Sequence, residues 1–315
     1  MDSPHRLSLA RIEAAARTID PVFLHSPQLD CEPLAMTLKI ETINPIRSFK
    51  GRGADFFVAE SVRAGDRGPW ACASAGNFGQ AMAYACRKHQ IALTVFVTHT
   101  ANPFKVARMR ALGATVISAA DDFGIAKREA RTWCSERGVT FVEDGDDPRI
   151  AEGAGTIAVE LCARGAFATV VIPVGDGALV TGMGRWIRAH APATRVIGVC
   201  SRGATAVHDS WRRGEVVSAP AMTIADGIAV STPVAAAVAD LRGLVDDIVL
   251  VDDAQLIAAM RALHAHAGIV VEPAGAAGVA AALAIGGPRI ATVVTGGNVT
   301  HAQLAEWRIA DHSGS

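Results

Sequence analysis

The run Ala168-Thr169-Val170-Val171-Ile172-Pro173-Val174 leads directly into Gly175-Asp176-Gly177-Ala178-Leu179-Val180-Thr181-Gly182. Its first seven residues form the purest β pattern in the chain, apolar on both faces and rich in β-branched side chains. A strand buried on both faces belongs in a parallel sheet covered by helices. The small residues that follow let successive backbone N–H groups converge, and the next helix adds positive potential at its N-terminus. Such a turn suits an anion, and a phosphate is the natural guest, although an ordinary tight βα turn has the same composition. The P-loop sequence Gly-Lys-Ser/Thr is absent, and the spacing after Gly175 and Gly177 does not give Gly-x-Gly-x-x-Gly. Arg202, after the next β run, keeps an NADP-linked reductase open as a reading from another class.

The alternation extends in both directions. Strands are predicted at 34–40, 70–73, 91–97, 114–118, 139–142, 195–200, 244–251 and 290–294. Helices are predicted at 51–64, 77–89, 103–112, 122–137, 150–163, 253–266 and 273–284. This βαβα order gives an α/β chain with parallel sheets between helical layers. The acidic turn Glu143-Asp144-Gly145-Asp146-Asp147-Pro148 reads as a domain crossing.

Half of the 315 residues are hydrophobic, 19% are charged, and the formal net charge is −1. No basic block suggests nucleic acid as a partner. No apolar run reaches the roughly 18 residues of a membrane span, and the N-terminus lacks the apolar core of a secretory signal. Six scattered cysteines without Cys-x-x-Cys read as buried, reduced thiols in a cytoplasmic protein.

Lysine is scarce, with five (Lys39, Lys50, Lys88, Lys105, Lys127) against 25 arginines. Arginine cannot form an imine, whereas a lysine amine can condense with an aldehyde. Lys50 lies in Asn44-Pro45-Ile46-Arg47-Ser48-Phe49-Lys50-Gly51-Arg52-Gly53-Ala54 and, on position alone, also suits a surface residue opening a helix. Ser74-Ala75-Gly76-Asn77 is a second small-residue turn at a helix start, suited to a carboxylate or simply to capping. Thr295-Gly296-Gly297-Asn298 ends the last strong strand, where open α/β sheets place ligands. Glu272 before Pro273 reads equally as a cap or as a carboxylate near a cleft.

In order and spacing these segments resemble the fold type II pyridoxal-phosphate enzymes, within them the serine/threonine dehydratase branch. The resemblance rests on Lys39-x-Glu41, the Asn44 to Ala54 run, Ser74-Ala75-Gly76-Asn77, Pro173 to Leu179, Ala225-Asp226-Gly227-Ile228-Ala229-Val230, Val271-Glu272-Pro273-Ala274-Gly275-Ala276 and Thr295-Gly296-Gly297-Asn298. It implies two parallel-sheet, three-layer α/β/α domains with a cofactor cleft between them. The larger would comprise residues 1–60 and 146–315, and the smaller, which closes over substrate, residues 61–145. Lys50 would form the imine with pyridoxal 5'-phosphate and later take the Cα proton. Phe49 would pack on the cofactor ring, and Asn77 would bond its 3-hydroxyl. Gly175, Asp176, Gly177, Ala178 and Leu179 would hold the phosphate, Gly227 would belong to the cofactor site, and Thr295 would meet the pyridine nitrogen. Ser74, Ala75, Gly76 and Asn77 would bind the substrate carboxylate. The implied reaction is β-elimination of a β-hydroxy amino acid such as L-threonine or L-serine to a 2-oxo acid and ammonia, by a homodimer. A β-replacement synthase of the same fold is the neighbouring alternative.

Five departures qualify the resemblance. Ala75 stands where racemases of the group carry a second Ser, which disfavours racemisation. Phe78 replaces a common His. Arg47 replaces a common Gly and reads as a surface residue or as a reach toward an anionic substrate group. Asp176 would repel a phosphate, so its side chain is expected to point away. Cys200-Ser201-Arg202 lacks the Glu that some members use for a divalent cation, so no metal is expected. The short stretch after Asn298 implies no C-terminal regulatory domain.

Overall fold

A computed structural model of the chain describes residues 5–74 and 76–309. The first half contains α1 (Leu9–Thr18), β1 (Gln28–Cys31), β2 (Met36–Ile40), α2 (Lys50–Arg63), β3 (Trp70–Ala73), α3 (Asn77–Lys88), β4 (Leu93–Val97), α4 (Pro103–Ala111), β5 (Thr115–Ser118), α5 (Phe123–Arg137) and β6 (Thr140–Phe141). The second half contains α6 (Pro148–Ala163), β7 (Thr169–Pro173), α7 (Ala178–His190), β8 (Arg195–Ser201), α8 (Ala206–Arg213), α9 (Ala235–Leu241), β9 (Asp247–Val251), α10 (Asp253–Ala267), α11 (Pro273–Ile285), β10 (Ile290–Val294) and α12 (His301–Glu306).

The strands form two sheets. One has six strands in the order β1-β2-β10-β7-β8-β9, and the other four in the order β5-β4-β3-β6. All pairings are parallel except β1 with β2, which runs antiparallel from Gln28↔Lys39 to Cys31↔Met36. The three central strands β2, β10 and β7 are buried at every position, which accounts for their unbroken apolar runs. β1 is half exposed and tied at its edge by Thr37 Oγ1, which donates to Asp30 Oδ1 at 2.6 Å.

Small residues bring the helices close. A Cβ on Gly53 of α2 would lie 2.5 Å from the Ile150 carbonyl oxygen, and one on Gly153 of α6 would lie 2.7 Å from that of Arg52. α2 and α6, which carry the chain from one sheet to the other and back, therefore touch backbone to backbone. α11 is buried along nearly its whole length, from Pro273 to Ala282, so its Ala/Gly composition is apolar all round rather than on one stripe. One apolar cluster runs from Trp70, Met82 and Val95 through Phe57 to Ile150 and Ala178, joining the layers of both sheets. Cys31, Cys72, Cys86, Cys134 and Cys200 are buried as free thiols, and burial pushes Cys86 and Cys200 up to about 12, beyond ordinary reactivity. Among the described residues no helix is long and apolar enough to cross a membrane.

Candidate active site

Lys50 is the first residue of α2, and the turn before it is tightly specified. Asn44 Oδ1 accepts from the backbone N–H groups of Ile46 (3.1 Å) and Ser48 (3.3 Å), while its Nδ2 donates to the carbonyls of Glu41 and Ser48. The Phe49 N–H donates to the Thr295 carbonyl at 3.0 Å, which fastens this turn to the end of β10. Arg47 is exposed, with a left-handed φ of 52°, the backbone geometry that explains the glycine common at this position in the resemblance. It does not line the cleft described below, so of its two readings the surface residue fits.

Beneath the turn, Arg52 is wholly buried. Its guanidinium bonds Glu41 (2.8 and 3.0 Å), Glu160 (2.6 and 3.0 Å), Thr156 (3.1 Å) and Ser26 (3.1 Å). Lys39 Nζ completes the cluster with Glu160 at 2.6 Å and the Ser26 carbonyl at 2.7 Å. Burial pushes the Glu160 carboxyl up, but Arg52 and Lys39 more than offset it and hold it down at about 2. The Lys39-x-Glu41 pair and Arg52 thus act together to lock the helix that begins with Lys50.

A cleft of about 1090 Å³ opens between the sheets. Lys50, Phe49, Ser74, Gly76, Asn77, Phe78, Gly175, Asp176, Gly177, Ala178, Leu179, Gly227, Glu272 and Thr295 all line it. The site residues read from sequence therefore converge, with two exceptions: Arg47 lies outside the cleft and Ala75 outside the described residues. The Lys50 side chain is 13% exposed. Its amine is 4.7 Å from the centre of the Phe49 ring and is ion-paired with Asp144. Gly177 enters α7 with φ 99°, and no side chain caps the N-terminus there. A Cβ on Gly175 would lie 2.7 Å from the Gly227 carbonyl, so this loop admits only the smallest residue.

Ser74 Oγ accepts from the N–H groups of Gly76 (3.0 Å) and Gly79 (2.9 Å), and so caps α3 while keeping its own proton free to donate. Asn77 Nδ2 donates to Glu272, and Asn77 Oδ1 accepts from Asn298 Nδ2 at 2.8 Å. Glu272 precedes α11 but makes no cap bond. The capping reading is corrected: its buried carboxylate turns into the cleft, toward Asn77 and toward Lys105 at 3.2 Å. Lys105, on α4, is 3% exposed and also meets Asp226 at 2.6 Å. Burial works against this ammonium, but Glu272 and Asp226 outweigh it, so the amine stays charged.

Asp176 faces a charged wall that includes Asp144, Lys127 and Glu143. Burial pushes its carboxyl up, Lys127 pulls it down and Asp144 raises it again, to about 6. The folded value lies above the unfolded 3.8, so the folded state binds the extra proton between these values and loses stability as pH rises through them. Asp176→Asn should therefore melt higher than the parent above about pH 6, and the gap should close below about pH 4. Thermal melts of the cofactor-free proteins across that range check this, and a gap independent of pH would refute it.

A family model described as pyridoxal-phosphate dependent enzyme matches residues 21–296. The chain belongs to this family. It is 35% identical over 247 residues to the L-threonine ammonia-lyase of Geobacter sulfurreducens, covering 78% of this chain and 61% of that relative's length. It is 34% identical over 267 residues to the L-threonine ammonia-lyase of Thermotoga maritima, covering 83% of this chain and 67% of the relative. The structure of a processed threonine deaminase isoform from Solanum lycopersicum superposes with a TM-score of 0.87 at 27% identity, over 98% of this chain and 91% of that one.

The cleft residues fit the family's cofactor. The uncapped start of α7 offers converging N–H groups for a phosphate. Lys50 offers an amine, and the 5% exposed Thr295 offers a neutral hydroxyl, which now donates to the Ala274 carbonyl at 3.3 Å. Arg202, which the reductase reading needed beside the Gly175 turn, is exposed on the Leu250 carbonyl (3.5 Å) and does not line the cleft. No group of three His, Cys, Asp or Glu side chains among the described residues could hold a metal ion. Sequence reading missed Lys105, Lys127 and Asp144 as parts of the cleft. The two signals for them are indirect: scarce lysines, and an acidic turn that reads as a crossing.

Proposed function

We propose that the protein eliminates the β-hydroxyl of a β-hydroxy amino acid, such as L-threonine or L-serine, giving a 2-oxo acid and ammonia. The observation that carries this reading is the Lys50 amine inside the cleft together with the uncapped Gly175 to Leu179 loop and the neutral Thr295 hydroxyl. The names of the relatives at 34–35% identity support it. Bound pyridoxal phosphate supplies the electrophile that acidifies the substrate's Cα–H bond. Lys50 holds the cofactor and takes the α-proton, for which its amine must be neutral. Asn77 orients the ring from the start of α3, and Ser74 and Gly76 receive the substrate carboxylate. Phe49, which lines the cleft beside the Lys50 amine, would pack against the bound ring. Thr295 is a neutral hydroxyl and cannot act as a counter-ion that keeps the ring nitrogen charged, which favours elimination over transamination.

Residues 61–145 are read as the smaller lobe and residues 1–60 with 146–315 as the larger, working as a cytoplasmic homodimer. Incubating the cofactor-loaded protein with a panel of β-hydroxy amino acids tests the activity. Release of ammonia and 2-oxo acid in equal amounts, with L-threonine or L-serine preferred, is expected. Product formed only after a second nucleophile is added would favour the synthase reading instead.

A further inference from the structure

Asp144 was read from sequence as part of a turn, yet it is the side chain in direct contact with the Lys50 amine. It lies between β6 and α6, is 6% exposed, and lines the cleft. Its Oδ2 receives Lys50, while its Oδ1 is buried without a hydrogen-bond partner. The nearby cation Lys127 is engaged elsewhere, with Glu143 at 2.7 Å. Among the described residues Lys50 is thus the cation that neutralises this carboxylate. Asp176 adds a second negative charge across the cleft wall, where the Gly145 backbone packs against it.

The buried Asp144 and the half-buried Asp176 beside the Lys50 ammonium make a seat. When the amine is present, Asp144 is paired. When the amine leaves to react, Asp144 loses that partner. We propose that Asp144 is the positioning residue for Lys50, the seat that holds the amine against the cleft wall in the cofactor-free protein and aims it into the cleft. The seat governs how readily the amine enters and leaves its covalent link. The inference rests on the assignment of Lys50 in the proposed function.

Lysine acetylation of the cofactor-free protein, mapped by mass spectrometry, reads this directly. In Asp144→Asn the Lys50 acetylation rate should rise about tenfold, because the amine is no longer held by a charged hydrogen-bond partner. Lys88 is the reference for an exposed amine, and Lys105, whose two carboxylate partners are untouched, should stay slow in both proteins. With cofactor and substrate, kcat should fall with little change in KM, and Asp144→Glu should recover part of the loss. Should the Asn variant fail to fold, Asp144→Ser offers the same readout with a smaller side chain. An unchanged Lys50 rate in a folded variant overturns the seat. If Lys50→Ala still captures the cofactor, the assignment of Lys50 itself has failed, whatever Asp144 does.

Discussion

Lys50→Ala should lose the near-visible absorbance band of the cofactor-loaded protein and reduce ammonia release by at least about 10³-fold. Three lysines line the cleft, and their surroundings separate them. Lys105 is clamped by Glu272 and Asp226 and held charged, so it is a poor nucleophile toward an aldehyde. Lys127 is paired with Glu143. Lys39 is buried under Glu160, and Lys88 lies on Asp20, both away from the cleft. Lys50 has a single carboxylate partner and an aromatic ring beside it, at the start of a helix anchored to β10. Borohydride reduction followed by peptide mapping would place the cofactor mass on the peptide carrying Lys50. Finding it on Lys105 or Lys127, or retaining the band in Lys50→Ala, would overturn the assignment.

Arg52→Met should destabilise the fold by about 3–5 kcal/mol, the range seen when one partner of a buried ion pair is removed. Methionine fills much of the volume but leaves Glu41 and Glu160 without their shared cation, next to Lys39 alone. The sign with pH follows from Glu160. Its folded value of about 2 lies below the ordinary 4.5, so its contribution is complete above about pH 4.5 and disappears as pH falls toward 2. The parent should therefore lose stability steeply over that interval, and Arg52→Met much less steeply. Denaturant unfolding at neutral and acid pH measures both, and a variant within about 1 kcal/mol of the parent at neutral pH would contradict the argument. Because Arg52 lies two residues beyond Lys50, cofactor capture should weaken even where the variant still folds.

Much of this was legible in the sequence because the signals were local. β3 and β10 fall where their apolar runs predict, and α3, α5 and α11 agree within a residue or two. The glycine-rich turn after β7 carried its own geometry, since Gly177 requires a left-handed backbone. α1 has only Ile12 and Ala15 fully buried, and β1 alternates poorly, so neither was expected. The charged lining of the cleft was illegible for a different reason. Lys50 and Asp144 are 94 residues apart, and Asn77 and Glu272 are 195 apart. Nothing in the spacing of either pair predicts a meeting, which depends on how two sheets are set against each other. Glu272 carried two readings, a cap and a carboxylate near a cleft, and only the fold separates them. It stands at a helix entrance where a cap is usual, and the fold turns it toward Asn77 instead.

The strand order also dictates a sequence of events at the ribosome. β10 is the last strand to emerge, yet it lies in the middle of the six-stranded sheet, between β2 and β7. Until Val294 has been synthesised, the β1–β2 hairpin and the β7–β9 segment have no strand to join them, and apolar edges stay open to solvent. The four-stranded sheet has no such wait, because all its strands are made by Phe141. The nascent chain therefore has every strand of one sheet early and lacks a middle strand of the other until near the end, so the period of greatest exposure to misassociation falls late in translation.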